Sequence, residues 1–318
     1  MYRGVNHVGI GVSEMNRALE FYGELLGFTE VMFDYTGSLP GMEAVTGKPE
    51  TKARVVMLKN RNTGPLGLGA IKLVQLLDSE KPEPCTVADT TLWGDVGIAE
   101  VCFNTRVSTE KVFAELSKKG LQATLTPTRG CFPPYDTVSH YAYMRDPDNG
   151  LLEFVDWEMG KSLGTEPSVE GVNHVGFGVS DIDRSLKFYR ELGFTELVFD
   201  FTGAIYSMAT MFPPNPPNIR CLMVANYYGA WIEPIQLLPP HKPKASKEGW
   251  GHLGSMEFGV GVSNIEKAYD ELQKKGMEFL CPPQTVEVSS GQWKYAYVIE
   301  PDGLYVSLIE PRCYVSAR

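Results

Sequence analysis

The hexapeptide Gly-Val-Asn-His-Val-Gly stands at residues 4–9 and again at residues 171–176, and each copy opens a segment that closes on Asp-Tyr-Thr-Gly (34–37) or Asp-Phe-Thr-Gly (200–203). A repeat at one long fixed offset is the mark of a tandem duplication. The fold is therefore expected twice. Differences between the copies at inward-facing charged positions indicate what each half contributes to a polar site.

At 318 residues the chain exceeds what one hydrophobic core usually serves, so two similar domains are expected, 1–159 and 171–318, joined by a Gly-, Ser-, Thr- and Pro-containing linker at 160–170. No apolar run is long enough to span a bilayer. A strand-like pattern begins within a few residues of the N-terminus and leaves no room for a secretory signal, so a cytoplasmic location is expected. The six cysteines include no Cys-x-x-Cys pair and are expected to be buried or incidental thiols. A formal net charge of −10 argues against a nucleic-acid binder, which needs a cationic face to displace counterions. A small-molecule substrate is the expected partner, with no nucleic acid and no membrane, in a monomer that is an internal pseudo-dimer or in a homodimer.

Hydrophobic periodicity divides each half into two units of strand, helix and further strands. In the first, an alternating strand at 5–12 leads to a helix capped by Ser13, with Met15, Ala18, Leu19, Tyr22, Leu25 and Leu26 on one face and Gly27 as its stop. The second copy repeats this with Ser180 as cap, Ile182, Leu186, Tyr189 and Leu192 on the face, and Gly193 as the stop. Strands follow at 28–33, 53–58 and 70–77, matched by 194–199, 220–225 and 230–238. The later units run from strands at 98–105 and 256–262 through helices ending at Gly120 and Gly276, the latter with a capping box of Ser263 and Glu266. Both continue through a Tyr-Ala-Tyr strand (141–143, 295–297), an acidic-Pro-Asp turn and a final strand at 151–157 or 304–310. Four βαβββ units thus lie in series. The segments 81–84 and 212–217 are expected to be loops.

The chain resembles the vicinal oxygen chelate superfamily of glyoxalase I, epimerases, fosfomycin-resistance proteins and extradiol dioxygenases. The resemblance rests on His-Val-Gly-Ile-Gly-Val-Ser (7–13), Ala-Leu-Glu-Phe-Tyr with Leu-Gly-Phe (18–28) and Asp-Pro-Asp-Asn-Gly-Leu-Leu-Glu (146–153). It implies an α+β fold: two tandem glyoxalase-like domains whose βαβββ units pair into cup-shaped mixed sheets, each able to hold a divalent metal. Ligands would come from the first and last strands of each unit. Carried over, these positions are His7 and Lys72, Glu100 and Glu153, His174 and Glu233, and Glu257 and Ser307.

Which units pair decides the chemistry. If each half closes on itself, two partial sites result. If the halves exchange units, Glu100 and Glu153 meet His174 and Glu233 in one complete cup, and His7, Lys72, Glu257 and Ser307 collect in the other. An ammonium about 4 Å from a divalent ion is repelled by roughly 8 kcal/mol at an effective dielectric near 20, which disfavours metal in the second cup. Exchange is preferred, because one intact and one degenerate site is the simpler outcome of duplication. Lys72 paired with a buried carboxylate would make its cup structural.

One imidazole and three carboxylates suit Zn, Mn, Co, Ni or Fe. The resemblance implies His174, Glu233, Glu100 and Glu153 as metal ligands, Glu153 or Glu233 as the base, and Tyr143 as a substrate-contacting residue. His140 has the opposite parity and is expected at a rim or loop. Phe33, Tyr35, Phe199, Phe201 and Tyr206 are candidates for an apolar pocket wall. The leading function is a metal-dependent lyase or isomerase of the glyoxalase I and epimerase type, moving a proton next to a carbonyl. An extradiol-type ring-cleaving dioxygenase is the alternative, although it normally uses two histidines and one carboxylate. A non-catalytic binder of drug-like molecules is a third reading.

Overall fold

A computed structural model describes residues 2–64, 66–78, 93–158, 166–211, 216–244 and 249–313. Sixteen strands fall into four consecutive sets of four. The first unit holds β1 (Tyr2–Gly11), β2 (Glu30–Ser38), β3 (Lys52–Lys59) and β4 (Ala70–Leu76). The second holds β5 (Gly97–Arg106), β6 (Ala123–Phe132), β7 (Thr137–Arg145) and β8 (Leu151–Trp157). The third holds β9 (Ser168–Gly178), β10 (Glu196–Ala204), β11 (Asn218–Ala225) and β12 (Trp231–Leu237), and the fourth β13 (Gly254–Val262), β14 (Phe279–Val288), β15 (Gly291–Ile299) and β16 (Tyr305–Cys313). A helix follows the first strand of every unit: α1 (Met15–Ala18), α3 (Thr109–Lys118), α4 (Ile182–Glu191) and α5 (Ile265–Lys274). The short α2 (Glu43–Thr46) interrupts the first unit after β2.

The strands form two curled mixed sheets of eight, and the fold is α+β. One sheet runs β14-β15-β16-β13-β1-β4-β3-β2 and joins the first unit to the fourth; the other runs β10-β11-β12-β9-β5-β8-β7-β6 and joins the second to the third. The seams are the antiparallel pairs β1/β13 and β5/β9, each formed by strands from different halves. The halves have exchanged units.

Side chains alternate across each strand, so every first strand serves two cores. Val8, Ile10, Val101, Phe103, Val175, Phe177, Phe258 and Val260 point outward from the cups and join residues of all four helices in one shared core. The opposite faces line two separate clusters, one inside each cup. The sheets also touch directly through antiparallel bridges, Val5 to Ala230 and Gly69 to Val172. A Cβ on Gly171 would lie 2.7 Å from the Gly69 carbonyl oxygen, so the first residue of the repeated hexapeptide must be small there.

Three helix caps lie one residue later than expected. Glu14, Asp181 and Asn264 accept the first-turn amides, in place of Ser13, Ser180 and Ser263. Two of those serines make longer-range bonds: the amide and hydroxyl of Ser13 donate to Asp148 at 2.9 and 2.6 Å, and those of Ser180 donate to Asp302 at 2.8 and 2.6 Å. Arg17 and Arg184 bind the same two carboxylates. The last residue of each acidic-Pro-Asp turn, Asp148 or Asp302, therefore ties its unit to the helix start of the preceding one. The first helix also departs from a regular α-helix, continuing beyond Ala18 as π-helical turns through Leu25. The segment 81–84 and most of 160–170 and 212–217 lie outside the described residues.

Because each sheet needs both halves, either half alone leaves the edges of two first strands unpaired. Fragments comprising 1–158 and 166–318 are expected to form a 1:1 complex on mixing, seen by size-exclusion chromatography with light scattering. Two separately stable monomers that ignore each other would contradict this topology.

Candidate metal centre

Four strands of the second sheet aim polar side chains into one cup. Glu100 on β5 lies opposite Gly176 on β9, and His174 lies opposite Cys102. Glu153 on β8 flanks Cys102, and Glu233 on β12 flanks Gly176. The four expected residues are thus brought together about the seam, and all are buried. His174 Nε2 is 3.0 Å from Glu153 Oε2 and 3.6 Å from Glu233 Oε2. Glu100, His174 and Glu233 offer ligand atoms within 4.8 Å of one another, as do Cys102, Glu153 and His174.

Neighbouring groups fix these orientations. Asn173 Nδ2 donates to the Leu66 carbonyl at 2.8 Å, which turns its Oδ1 to His174 Nδ1 at 2.7 Å. Nδ1 therefore carries a proton, and Nε2 faces the cup, where it holds a second proton or, with a cation bound, presents a lone pair. Trp93 Nε1 donates to Glu100 Oε2 at 2.8 Å. A Cβ on Gly176 would lie 2.5 Å from Glu100 Oε1, so glycine leaves the space that this carboxylate occupies.

Glu100 Oε1, Glu153 Oε2, His174 Nε2 and Glu233 Oε2 are buried and face one another with no nitrogen or oxygen partner outside the cluster, and the approach of Nε2 to Glu153 is an ion pair only while the imidazole is protonated. Buried polar atoms ordinarily have partners, and leaving several together is costly. One imidazole nitrogen and three carboxylate oxygens fit a divalent cation, which would satisfy all four. Protons compete for the same place. Burial, then the charges of Glu153 and Glu233, push the Glu100 carboxyl well up. Burial opposes charging of His174, yet Glu153 and Glu233 raise it to about 10. Tyr143, the register partner of Glu153 on β7, is held as a neutral phenol by burial and the three carboxylates.

A small cavity of about 20 Å³ opens beside this cluster, walled by Phe132, Tyr141, Trp157, Phe199 and Met208 among others. Phe199 therefore occupies the expected wall position, and Phe201 packs edge-on to Phe132. Phe33 and Tyr35 belong to the other cup, while Tyr206 is mostly exposed and makes no wall. His140 sits within β7 on the opposite face from Tyr143, its Nδ1 3.2 Å from Asp156 Oδ1 beneath α3.

The first sheet gathers His7, Lys72, Glu257 and Ser307 in the equivalent cup. Lys72 Nζ forms an ion pair with Glu257 Oε1, while Trp250 at 2.7 Å and the Tyr297 hydroxyl donate to Oε2. Burial and the Lys72 charge hold His7 well below its ordinary pKa. Met42 and Val45, on and beside α2, are buried in this cup's apolar cluster. Lys72 neutralises the carboxylate that would otherwise call for a cation, while His7 Nε2 and Ser307 Oγ in this cup are buried without a hydrogen-bond partner.

Asn173, Trp93, Cys102 and Cys221 were not expected at the site. Asn precedes His in both hexapeptides, and Trp stands seven residues before Glu in both Trp-Gly-x4-x-Glu segments, 93–100 and 250–257. The repeat itself therefore carried both signals. Cys102 and Cys221 are buried thiols raised by burial and then by Glu153 and Glu233 respectively, and nothing in the spacing of the cysteines marked them.

The chain belongs to the Glyoxalase/Bleomycin resistance protein/Dioxygenase superfamily, whose family model matches residues 4–154 and 171–308. It is similar to a lactoylglutathione lyase of Schizosaccharomyces pombe, 22% identical over 97% of this chain and 96% of the relative. Among solved structures it is similar to a glyoxalase I variant from Zea mays, with TM-score 0.62 and 18% identity over 97% of this chain and 92% of the other. It is also similar to a dioxygenase-like protein from Bacillus subtilis, described as a putative dioxygenase, with TM-score 0.59 and 12% identity over 99% and 87%. These likenesses establish the fold and the superfamily.

Two measurements test the electrostatics of the cups. A group raised in the folded state stabilises it below its unfolded pKa and loses that contribution as pH climbs toward the folded value. For His174, raised to about 10, the metal-free protein is expected to lose stability from about pH 6.5 to 10, and added divalent metal to stabilise it more at high pH than at low. Thermal melts with and without chelator read both slopes. In the other cup, Lys72→Met leaves Glu257 uncompensated and is expected to cost about 3–5 kcal/mol, much of it recovered in Lys72→Met/Glu257→Gln; urea denaturation measures both.

Proposed function

We propose that the chain is a metal-dependent lyase or isomerase that moves a proton next to a carbonyl on a small molecule with two adjacent oxygens. The observation that carries this reading is the convergence of Glu100, Glu153, His174 and Glu233 on one buried point, with no lysine or arginine among the described residues that line the cup. Held there, a divalent ion would supply an electrophile that opposes the negative charge developing on vicinal oxygens.

The chain's own residues divide the remaining work. Glu100 is anchored by Trp93 and His174 by Asn173, which suits them to holding. Glu153 and Glu233 reach the centre from opposite sides of the seam, and each turns its Oε2 toward His174 Nε2. Either can take a proton from carbon and return it, the two faces of the substrate deciding which acts. Tyr143, neutral and buried beside Glu153, can donate a hydrogen bond to a substrate oxygen. The fission-yeast relative is named for lactoylglutathione and for lyase activity, in keeping with this reaction class. The Bacillus neighbour supports a dioxygenase as the second reading, against which stands the single imidazole in the cup; oxygen uptake with catechols separates the two.

Elemental analysis of purified protein tests the proposal. One equivalent of divalent metal is expected in the wild type and in His7→Ala, and its loss in Glu153→Ala and His174→Ala. Glu153→Gln or Glu233→Gln is expected to lower turnover about 10²- to 10⁴-fold when the substituted residue is the base. A wild-type protein that takes up no stoichiometric ion would reject the metal reading and favour a binding protein.

A further inference from the structure

One indole in the candidate cup packs as core yet carries a buried donor without a partner. Trp157 ends β8, two alternations beyond Glu153, so Glu153, Val155 and Trp157 face the same cavity. The ring packs between Phe199, with centroids 6.5 Å apart, and Trp231 at 6.1 Å. Its Nε1–H is buried and has no hydrogen-bond partner, unlike the indoles of Trp93 and Trp250, which donate to Glu100 and Glu257. An apolar ring would fill the same space without a stranded donor. The final strands of the other units, four residues beyond Lys72, Glu233 and Ser307, carry Leu76, Leu237 and Pro311, none of which offers a side-chain donor. The indole is therefore particular to the cup that gathers the metal-binding side chains.

The rest of the wall defines what a ligand brings. Phe132 and Phe199 stack with centroids 4.7 Å apart, and Tyr141 is engaged with Ser207 at 2.9 Å. Two carboxylates, Glu153 and Glu233, stand at the floor with His174, and no lysine or arginine is among the described lining residues. Such a space favours an uncharged, apolar or aromatic body over an anionic one.

We propose that Trp157 is a specificity-determining residue: its Nε1–H binds an acceptor oxygen on the uncharged apolar body of the substrate, apart from the oxygen pair at the floor. This rests on the metal reading for the oxygen pair alone; the indole and its wall do not depend on it.

Calorimetric binding of benzohydroxamic acids, which supply vicinal oxygens on an aryl body, tests the assignment in zinc-loaded wild type and Trp157→Phe, with metal content measured on the same samples. Ring methoxy isomers supply the further acceptor, ethyl isomers match their bulk without it, and carboxylate isomers add charge. At least one methoxy isomer is expected to lose roughly fivefold in affinity in Trp157→Phe while its ethyl counterpart changes less than twofold. The carboxylate isomers are expected to bind more weakly than the methoxy ones. The melting temperature of Trp157→Phe is expected to equal or exceed that of the wild type, because a stranded donor has been removed; a merely structural indole would give a loss. Equal losses for methoxy and ethyl compounds, or none, overturn the role of Trp157, and preferred carboxylates overturn the uncharged body. Absence of metal in the wild type, by contrast, counts against the proposed function, and the methoxy-to-ethyl comparison then decides this inference through matched methoxy- and ethyl-acetophenones, which need no ion.

Discussion

The antiparallel seam between β5 and β9 is the contact on which the arrangement depends. It places Glu100 against Gly176 and Cys102 against His174, and through the flanking parallel strands it sets Glu153 and Glu233 on either side. Slipping either strand by one residue would turn its own polar side chains into the shared apolar core. Core packing therefore enforces the polar geometry: Val101, Phe103, Val175 and Phe177 can be buried on one face only if the acids and the imidazole meet on the other.

The same logic accounts for each position of the repeated hexapeptide. Its first glycine permits the two sheets to touch, and its valines fill the common core. Its asparagine orients the imidazole, and its last glycine leaves room for a carboxylate from the opposing strand. In the first copy that space at Gly9 is taken by Glu257, whose Oε1 lies 2.6 Å from where a Cβ would be. The motif is thus a specification for one half of a cup, and it is fulfilled in both sheets even though the cups differ.

Much of this was legible in the chain because it depends on period and repetition. The four βαβββ units followed from alternating hydrophobicity and from the glycines that stop the helices, and the unequal charges at positions 72, 233, 153 and 307 marked one cup as acidic and the other as compensated. The helix caps were displaced by one residue because Ser13 and Ser180 looked like local caps, whereas Asp148 and Asp302 arrive from 135 and 122 residues away to engage them. Trp157 was equally hidden: an indole at the end of a strand looks like core until the surrounding wall shows that its N–H has no acceptor. Local spacing identifies what recurs, and only the assembled cup distinguishes a satisfied polar atom from a stranded one.

The two cups show why a duplicated fold can keep its shape while losing a site. Removing one acid from a cluster of three carboxylates would leave the others in need of a counter-charge, so loss alone is destabilising. In the first sheet Lys72 occupies the position equivalent to Glu233 and supplies that charge from within the chain, and Ser307 occupies the position equivalent to Glu153, removing a second carboxylate. Glu257 then needs no external cation, Met42 and Val45 can fill the cup, and its packing contributes to folding without any ligand. In the acidic cup no lysine or arginine lines the cavity among the described residues: His174, raised to about 10 by Glu153 and Glu233, is the counter-ion, and its proton occupies the Nε2 that a cation would need. The placement of a single ammonium therefore decides which cup is compensated by a lysine from within the chain.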